Sequence, residues 1–166
     1  RPDDLAAVTL SSIVERSAIK ASDVDEVILG AANQSGEDNR NIARMALLLA
    51  GFPAEVPGFT VNRLCASGLQ AVASASDAIA SGRADLIIAG GVESMTRAPW
   101  VTAKPSKAWA KPGPMFDTAL GWRFINPNMA SHDGGLTTLS LGEATEKLAK
   151  EFGITRKESD EFAYRS

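Results

Sequence analysis

The chain has 166 residues, 45% hydrophobic and 22% charged, enough for one respectable core and for one or at most two domains. A formal net charge of −3 and a sequence pI near 5.2 speak against nucleic acid or an anionic membrane as partners, since both reward a basic surface. A single cysteine allows no internal disulfide, and no N-terminal apolar run resembles a signal peptide. A reducing, cytoplasmic setting is therefore expected.

Arg1-Pro2-Asp3-Asp4 puts a proline and two acids where a helix begins, and Ala6, Leu10, Ile13, Val14 and Ser17 then share one face. Val27-Ile28-Leu29 reads as a short strand ended by Gly30, and Ile42 to Ala50 as a helix closed by Gly51. Val56, Phe59, Thr60 and Val61 predict a strand, and Leu69, Val72, Ala73, Ser76 and Ile79 a helix ending at Gly82. Asp85 to Val92 is apolar nearly throughout, as expected of a parallel strand covered on both faces. Helix and strand alternate, which predicts a layered α/β fold. The small residues Ala71, Ala73, Ser74, Ala75, Ser76, Ala78 and Ala80 make the middle helix smooth, suited to close packing between sheets or against a partner.

From Ala98 to Gly135 lie five of the eight prolines and all three tryptophans, Trp100, Trp109 and Trp122. So many large aromatics in a long connection predict an ordered excursion over the active face; the alternative is a partly mobile connector packed by its own tryptophans. Leu141, Ala144, Leu148 and Phe152 then form one face of a helix with Glu143/Lys147 and Glu146/Lys150 pairs and Gly153 as its stop. Thr155 and Glu158 make a capping box for the next. Ending inside that helix marks the chain as an expected fragment.

The one cysteine stands at the junction of the second strand and the smooth helix. A free cysteine is commonly a small buried hydrophobe. Here Ala66, Ser67 and Gly68 follow it, leaving room for a carbonyl to approach the sulfur and for backbone N–H groups to meet an oxyanion. The positive end of the helix favours the thiolate, so Cys65 is a candidate nucleophile as much as a core residue. Ser67 with Gln70 is a possible capping box, which would leave Cys65 two residues outside the helix; a cap at Cys65 or Ala66 would put the thiol on its tip.

Two segments carry a family likeness: Asn62-Arg63-Leu64-Cys65-Ala66-Ser67-Gly68-Leu69-Gln70 and Ala89-Gly90-Gly91-Val92-Glu93-Ser94-Met95-Thr96-Arg97-Ala98-Pro99. Together they resemble the N-terminal half of a thiolase, and the likeness continues through Asp25 to Asn41 and Phe116 to Phe124. The resemblance implies a layered α/β fold with a mixed sheet and helices on both faces. Residues 1–97 would form the nucleophile-bearing core half, its first strand missing, and 98–166 part of a loop domain. It implies an acyltransferase that cleaves or condenses 3-oxoacyl-CoA through an S-acyl intermediate on Cys65, whose backbone N–H serves an oxyanion hole. Acyl-CoA and CoA would be the substrates, with no other cofactor or metal, and a homodimer or homotetramer the assembly.

In that family the base is a histidine in a Gly-His-Pro segment, and a second cysteine lies in a Cys-x-Gly segment. Neither segment is present here, so the chain alone is expected to be inactive. His132, in the turn-forming Ser131-His132-Asp133-Gly134-Gly135, lacks the anchoring a base needs. Where many thiolases read Met-Gly-x-Thr-Ala-Glu-Asn, this chain has Leu141-Gly142-Glu143-Ala144-Thr145-Glu146-Lys147. Leu141 is thus a candidate substrate contact, or a plain core residue. Gly121-Trp122-Arg123-Phe124 is similar to thiolases acting on 3-oxoadipyl-CoA. The alternatives are a ketoacyl-synthase-like condensing enzyme, and a non-catalytic dimerisation or lipid-carrier module in which Cys65 is inert. Glu93 either supports the site or is a turn acid that pairs with a partner subunit.

Overall fold

Val27, Ile28 and Leu29 belong to a strand that both of its neighbours and both layers of helices enclose. In the computed structural model, which describes residues 1–34 and 36–166, this strand, β1 (Glu26–Gly30), is the centre of a three-stranded sheet of order β2-β1-β3. β2 (Gly58–Val61) and β3 (Ile87–Gly91) both run parallel to it, with Ile28 opposite Phe59 on one side and Ala89 on the other. The chain divides into two units, Arg1–Trp100 and Val101–Ser166.

Alternation along β1 sorts the first unit into three layers. Val27 and Leu29 point to the side of α1 (Pro2–Ser17) and α2 (Ile42–Leu49), where they bury Ala6, Leu10, Ala43, Ala46 and Leu47. Ile28 points the other way, onto Ala71 and Ala75 of α3 (Ser67–Ala80). The alanines let α3 lie close to the sheet, while its opposite face carries Leu69, Val72 and Ile79 exposed. The apolar run after Asp85 predicts a strand covered on both sides, but β3 is only half-buried. It sits at the sheet's margin with one strand neighbour; the strand buried on both faces is β1.

Side chains tie these elements at their ends. Asn41 caps α2 by accepting the Arg44 N–H (3.2 Å) and donates to the Gly58 carbonyl of β2 (2.9 Å). The Arg44 guanidinium donates to the carbonyls of Val56 and Ala54. Asp25, just before β1, accepts the N–H groups of Asp85 and Leu86 at 2.7 and 2.9 Å and so fixes the entry of β3. These two donors hold the Asp25 carboxyl below the ordinary carboxylate range. A depressed carboxyl contributes stability that is fully present above its unfolded value near 4 and is lost as pH falls through the lower folded value. Thermal midpoints measured from neutral pH downward should therefore begin to fall near pH ~4. Asp25→Asn, which has no charge to lose, should show a flatter acid limb; an identical limb would refute the assignment.

In the second unit β4 (Trp100–Thr102) and β5 (Met115–Asp117) form a two-stranded sheet, followed by α4 (Asn128–Asp133), α5 (Leu141–Phe152) and α6 (Arg156–Arg165). The tryptophans do not pack this segment: Trp109 is fully exposed, and Trp122 uses its indole N–H on the Leu139 carbonyl (3.1 Å). An edge-to-face pair, Phe116 and Phe124, takes that role with ring centroids 5.4 Å apart. α6 carries the predicted Thr155/Glu158 capping box, and α5 has a second, Ser140/Glu143. Glu143 accepts the Ser140 N–H (2.9 Å) and hydroxyl (2.7 Å). The expected Glu143/Lys147 and Glu146/Lys150 pairs are absent among the described residues; the ion pairs lie on α6, between Arg156 and Asp160 and between Lys157 and Glu161.

Candidate active site

Cys65 occupies the turn that carries the chain from β2 into α3. The helix begins at Ser67 with Ala66 as its N-cap, so the thiol stands one residue ahead of the cap, and it is exposed. Ser67 is not the cap, and the Ser67/Gln70 box does not form. The Ser67 hydroxyl instead turns back, accepting the Arg63 N–H (2.8 Å) and donating to the Leu64 carbonyl (2.6 Å). Gln70 donates its side-chain amide to Ser74 (3.0 Å). Ala66 offers no side-chain acceptor to the first turn of α3, whose first N–H, that of Ser67, bonds to the Leu64 carbonyl (3.0 Å).

The turn is held from its other end by Asn62. Its Oδ1 accepts the Leu64 N–H (2.8 Å), and its Nδ2 donates to the Ala32 carbonyl beyond β1 (3.0 Å). Between these anchors Leu64 takes a left-handed backbone, φ 51°. For a branched side chain that conformation costs roughly 1–2 kcal/mol, and it persists only where neighbouring bonds over-determine it. A thiol and a backbone N–H on one residue at a helix start are the two groups an acyl transfer needs, a nucleophile and an oxyanion donor.

Close backbone approach is built in beneath the turn. A Cβ on Gly30 would lie 2.3 Å from the Ser67 carbonyl carbon and 2.5 Å from the Gly68 nitrogen, so only glycine lets the end of β1 touch the start of α3. At the end of β3, Glu93 receives two consecutive N–H groups, Ala32 on Oε2 (2.8 Å) and Asn33 on Oε1 (3.1 Å). Both its oxygens are thus engaged within the chain.

This arrangement has counterparts of known kind. The model of the thiolase N-terminal domain matches residues 1–166. The chain belongs to the thiolase family. Its thiolase relatives include the beta-ketoadipyl-CoA thiolase of Pseudomonas knackmussii, 53% identical over 100% of this chain and 41% of that protein. The 3-oxoadipyl-CoA/3-oxo-5,6-dehydrosuberyl-CoA thiolase of Escherichia coli K12 is also 53% identical, with the same coverage. Among solved structures, the Bacillus anthracis acetyl-CoA acetyltransferase superposes with a TM-score of 0.82 at 36% identity, over 99% of this chain and 40% of that one. This thiolase chain spans about two fifths of the length of the curated relatives it matches.

The remaining candidates lie in the second unit. His132 is on the last turn of α4 rather than in a loop, and it is exposed. Leu141 opens α5 with its side chain exposed, so it is not a core residue of that unit. No group of three or more histidine, cysteine, aspartate or glutamate side chains arranged to hold a metal occurs among the described residues, and none of the described helices is long and apolar enough to cross a membrane.

Proposed function

We propose that Cys65 is the acyl-carrying nucleophile of a thiolase that acts on 3-oxoacyl-CoA. The observation that carries this reading is the exposed Cys65 beside the left-handed Leu64, at the uncapped start of α3. In the cleavage direction the Cys65 sulfur attacks the 3-keto carbon and the bond between C2 and C3 breaks. The enolate of acetyl-CoA leaves and takes a proton, and the acyl group stays on sulfur as a thioester. The thiol of CoA then attacks that thioester, carries off the acyl group and returns the cysteine. Splitting one difficult cleavage into two easier steps is what the covalent intermediate contributes. The Cys65 N–H supplies one oxyanion donor, CoA enters as a substrate, and no metal or further cofactor is required.

Names of the relatives support a finer reading, a 3-oxoacyl chain ending in a free carboxylate, as in 3-oxoadipyl-CoA. Leu141 is kept as a substrate contact, the homodimer or homotetramer as the assembly, residues 1–97 and 98–166 as the two domains, and the cytoplasm as the location. In the whole protein that carries this chain, 3-oxoadipyl-CoA with CoA should be cleaved faster than acetoacetyl-CoA. Rapid quenching should leave the acyl group on the peptide containing Cys65, found by mass spectrometry. Turnover with no label on that peptide would overturn the assignment; equal rates on both substrates would overturn the finer one.

A further inference from the structure

Glu93 follows β3, with no direct bond to the cysteine turn, yet a continuous chain of hydrogen bonds runs from one to the other. Its carboxylate accepts the Ala32 and Asn33 N–H groups, which fixes the strand exit just past β1. The carbonyl of the same Ala32 accepts the Asn62 side-chain amide (3.0 Å). The other end of that amide holds the Leu64 N–H, at the residue with a left-handed backbone that directly precedes Cys65. The neighbouring backbone bond, Ala31 N–H to the Val61 carbonyl (3.1 Å), keeps the two strand exits side by side. Asn62 can grip Leu64 in one orientation only if Ala32 is itself held still. A carboxylate is the side chain that can accept two adjacent N–H groups at once with charge-assisted bonds.

We propose that Glu93 is a positioning residue for the Cys65 nucleophile, acting through Ala32 and Asn62 on the backbone of Leu64. The proposal rests on the reading of Cys65 as the acyl-carrying group. It makes Glu93 and Asn62 two links in one series. Releasing either lets the turn relax toward an ordinary backbone, and a misplacement of about 1 Å of a reacting group costs up to ~100-fold in rate. Links in series also predict that breaking both costs no more than breaking one.

The test is the rate at which Cys65 becomes acylated in the whole protein that carries this chain, followed by rapid quenching with acetyl-CoA as donor. Glu93→Gln, Asn62→Ala and the double variant are compared with the parent, together with half-saturation by the donor and the thermal midpoint. Glu93→Gln keeps the shape but replaces one acceptor with a donor. Acylation slowed about ten- to hundred-fold in each single variant, with half-saturation unchanged and the double variant no slower than the slower single, is the expected result. Should Glu93→Gln fold poorly, Asn62→Asp is decisive: it keeps the acceptor for Leu64 and loses the donor to Ala32, and should be slowed to the same degree. Parent-like acylation in Glu93→Gln or Asn62→Asp, or slowing that multiplies in the double variant, overturns the proposal. A parent that takes no acyl group on Cys65 overturns the underlying nucleophile assignment instead, and the positioning role with it.

Discussion

Replacing Cys65 with serine should lower thiolysis by the whole protein by at least roughly three orders of magnitude, because the step that forms the covalent intermediate is lost rather than slowed. A hydroxyl in the same place keeps the size of the group and the backbone N–H, so substrate binding should hold. Serine is hardly ionised where a thiol is partly so, and its oxygen is the poorer nucleophile. The thermal midpoint should move little, since Cys65 is exposed. Loss of the acyl-CoA absorbance under CoA gives the rate, and the half-saturating substrate concentration gives the binding. A serine variant that retains a tenth of the parent rate would mean that the acyl group travels by another route.

Gly30→Ala should be the most damaging single methyl group in the first unit. The added carbon would lie 2.3 Å from the Ser67 carbonyl carbon and 2.5 Å from both the Ser67 oxygen and the Gly68 nitrogen, all of them backbone atoms that cannot swing aside. Either β1 or the first turn of α3 must move, at a cost of about 3 kcal/mol or more, or roughly 10 °C in the thermal midpoint. Because that turn carries Cys65, acylation should slow beyond what the lost stability explains. Gly90→Ala is the natural comparison. It stands in the adjacent strand, where the nearest atom to a new Cβ is a Leu29 methyl at 3.6 Å, and it should be tolerated. Equal midpoints for the two variants would show that the close approach of β1 and α3 is not needed.

Much of this was open to reading in the residues themselves, for physical reasons that also explain what was not. Periodicity and punctuation find the helices and strands: Pro2 starts α1, Gly153 ends α5 in a left-handed cap, and Thr155 with Glu158 opens α6. Cys65 is legible as a candidate nucleophile because a cysteine followed by small residues at a strand-to-helix junction is unusual in kind. Its supports are not. A hydroxyl at the start of a helix reads as a cap, and only the folded turn shows that Ser67 bonds backward to Arg63 and Leu64. The left-handed backbone of Leu64 has no signature, since leucine is a residue that rarely adopts it. Glu93 meets Ala32 across a sequence separation of 61, a distance at which no local pattern speaks. Burial escapes a local pattern for the same kind of reason. An apolar run tells how much covering a strand accepts, while strand order decides which strand receives it, and that order puts β1 rather than β3 in the middle.

The order of strands also bears on when the site is assembled. β1 leaves the ribosome before both of its partners, and β2 reaches it across a far shorter loop than β3 does. Shorter loops close sooner, so α1, β1, α2 and β2 are expected to come together first around Val27, Leu29 and Leu47. At that stage Asn62 already has Leu64 in reach, but the exit of β1 has nothing to hold it. Only the arrival of β3 brings Glu93 to Ala32 and Asn33. The turn that carries Cys65 is thus expected to acquire its final shape late in folding, after the core that supports it.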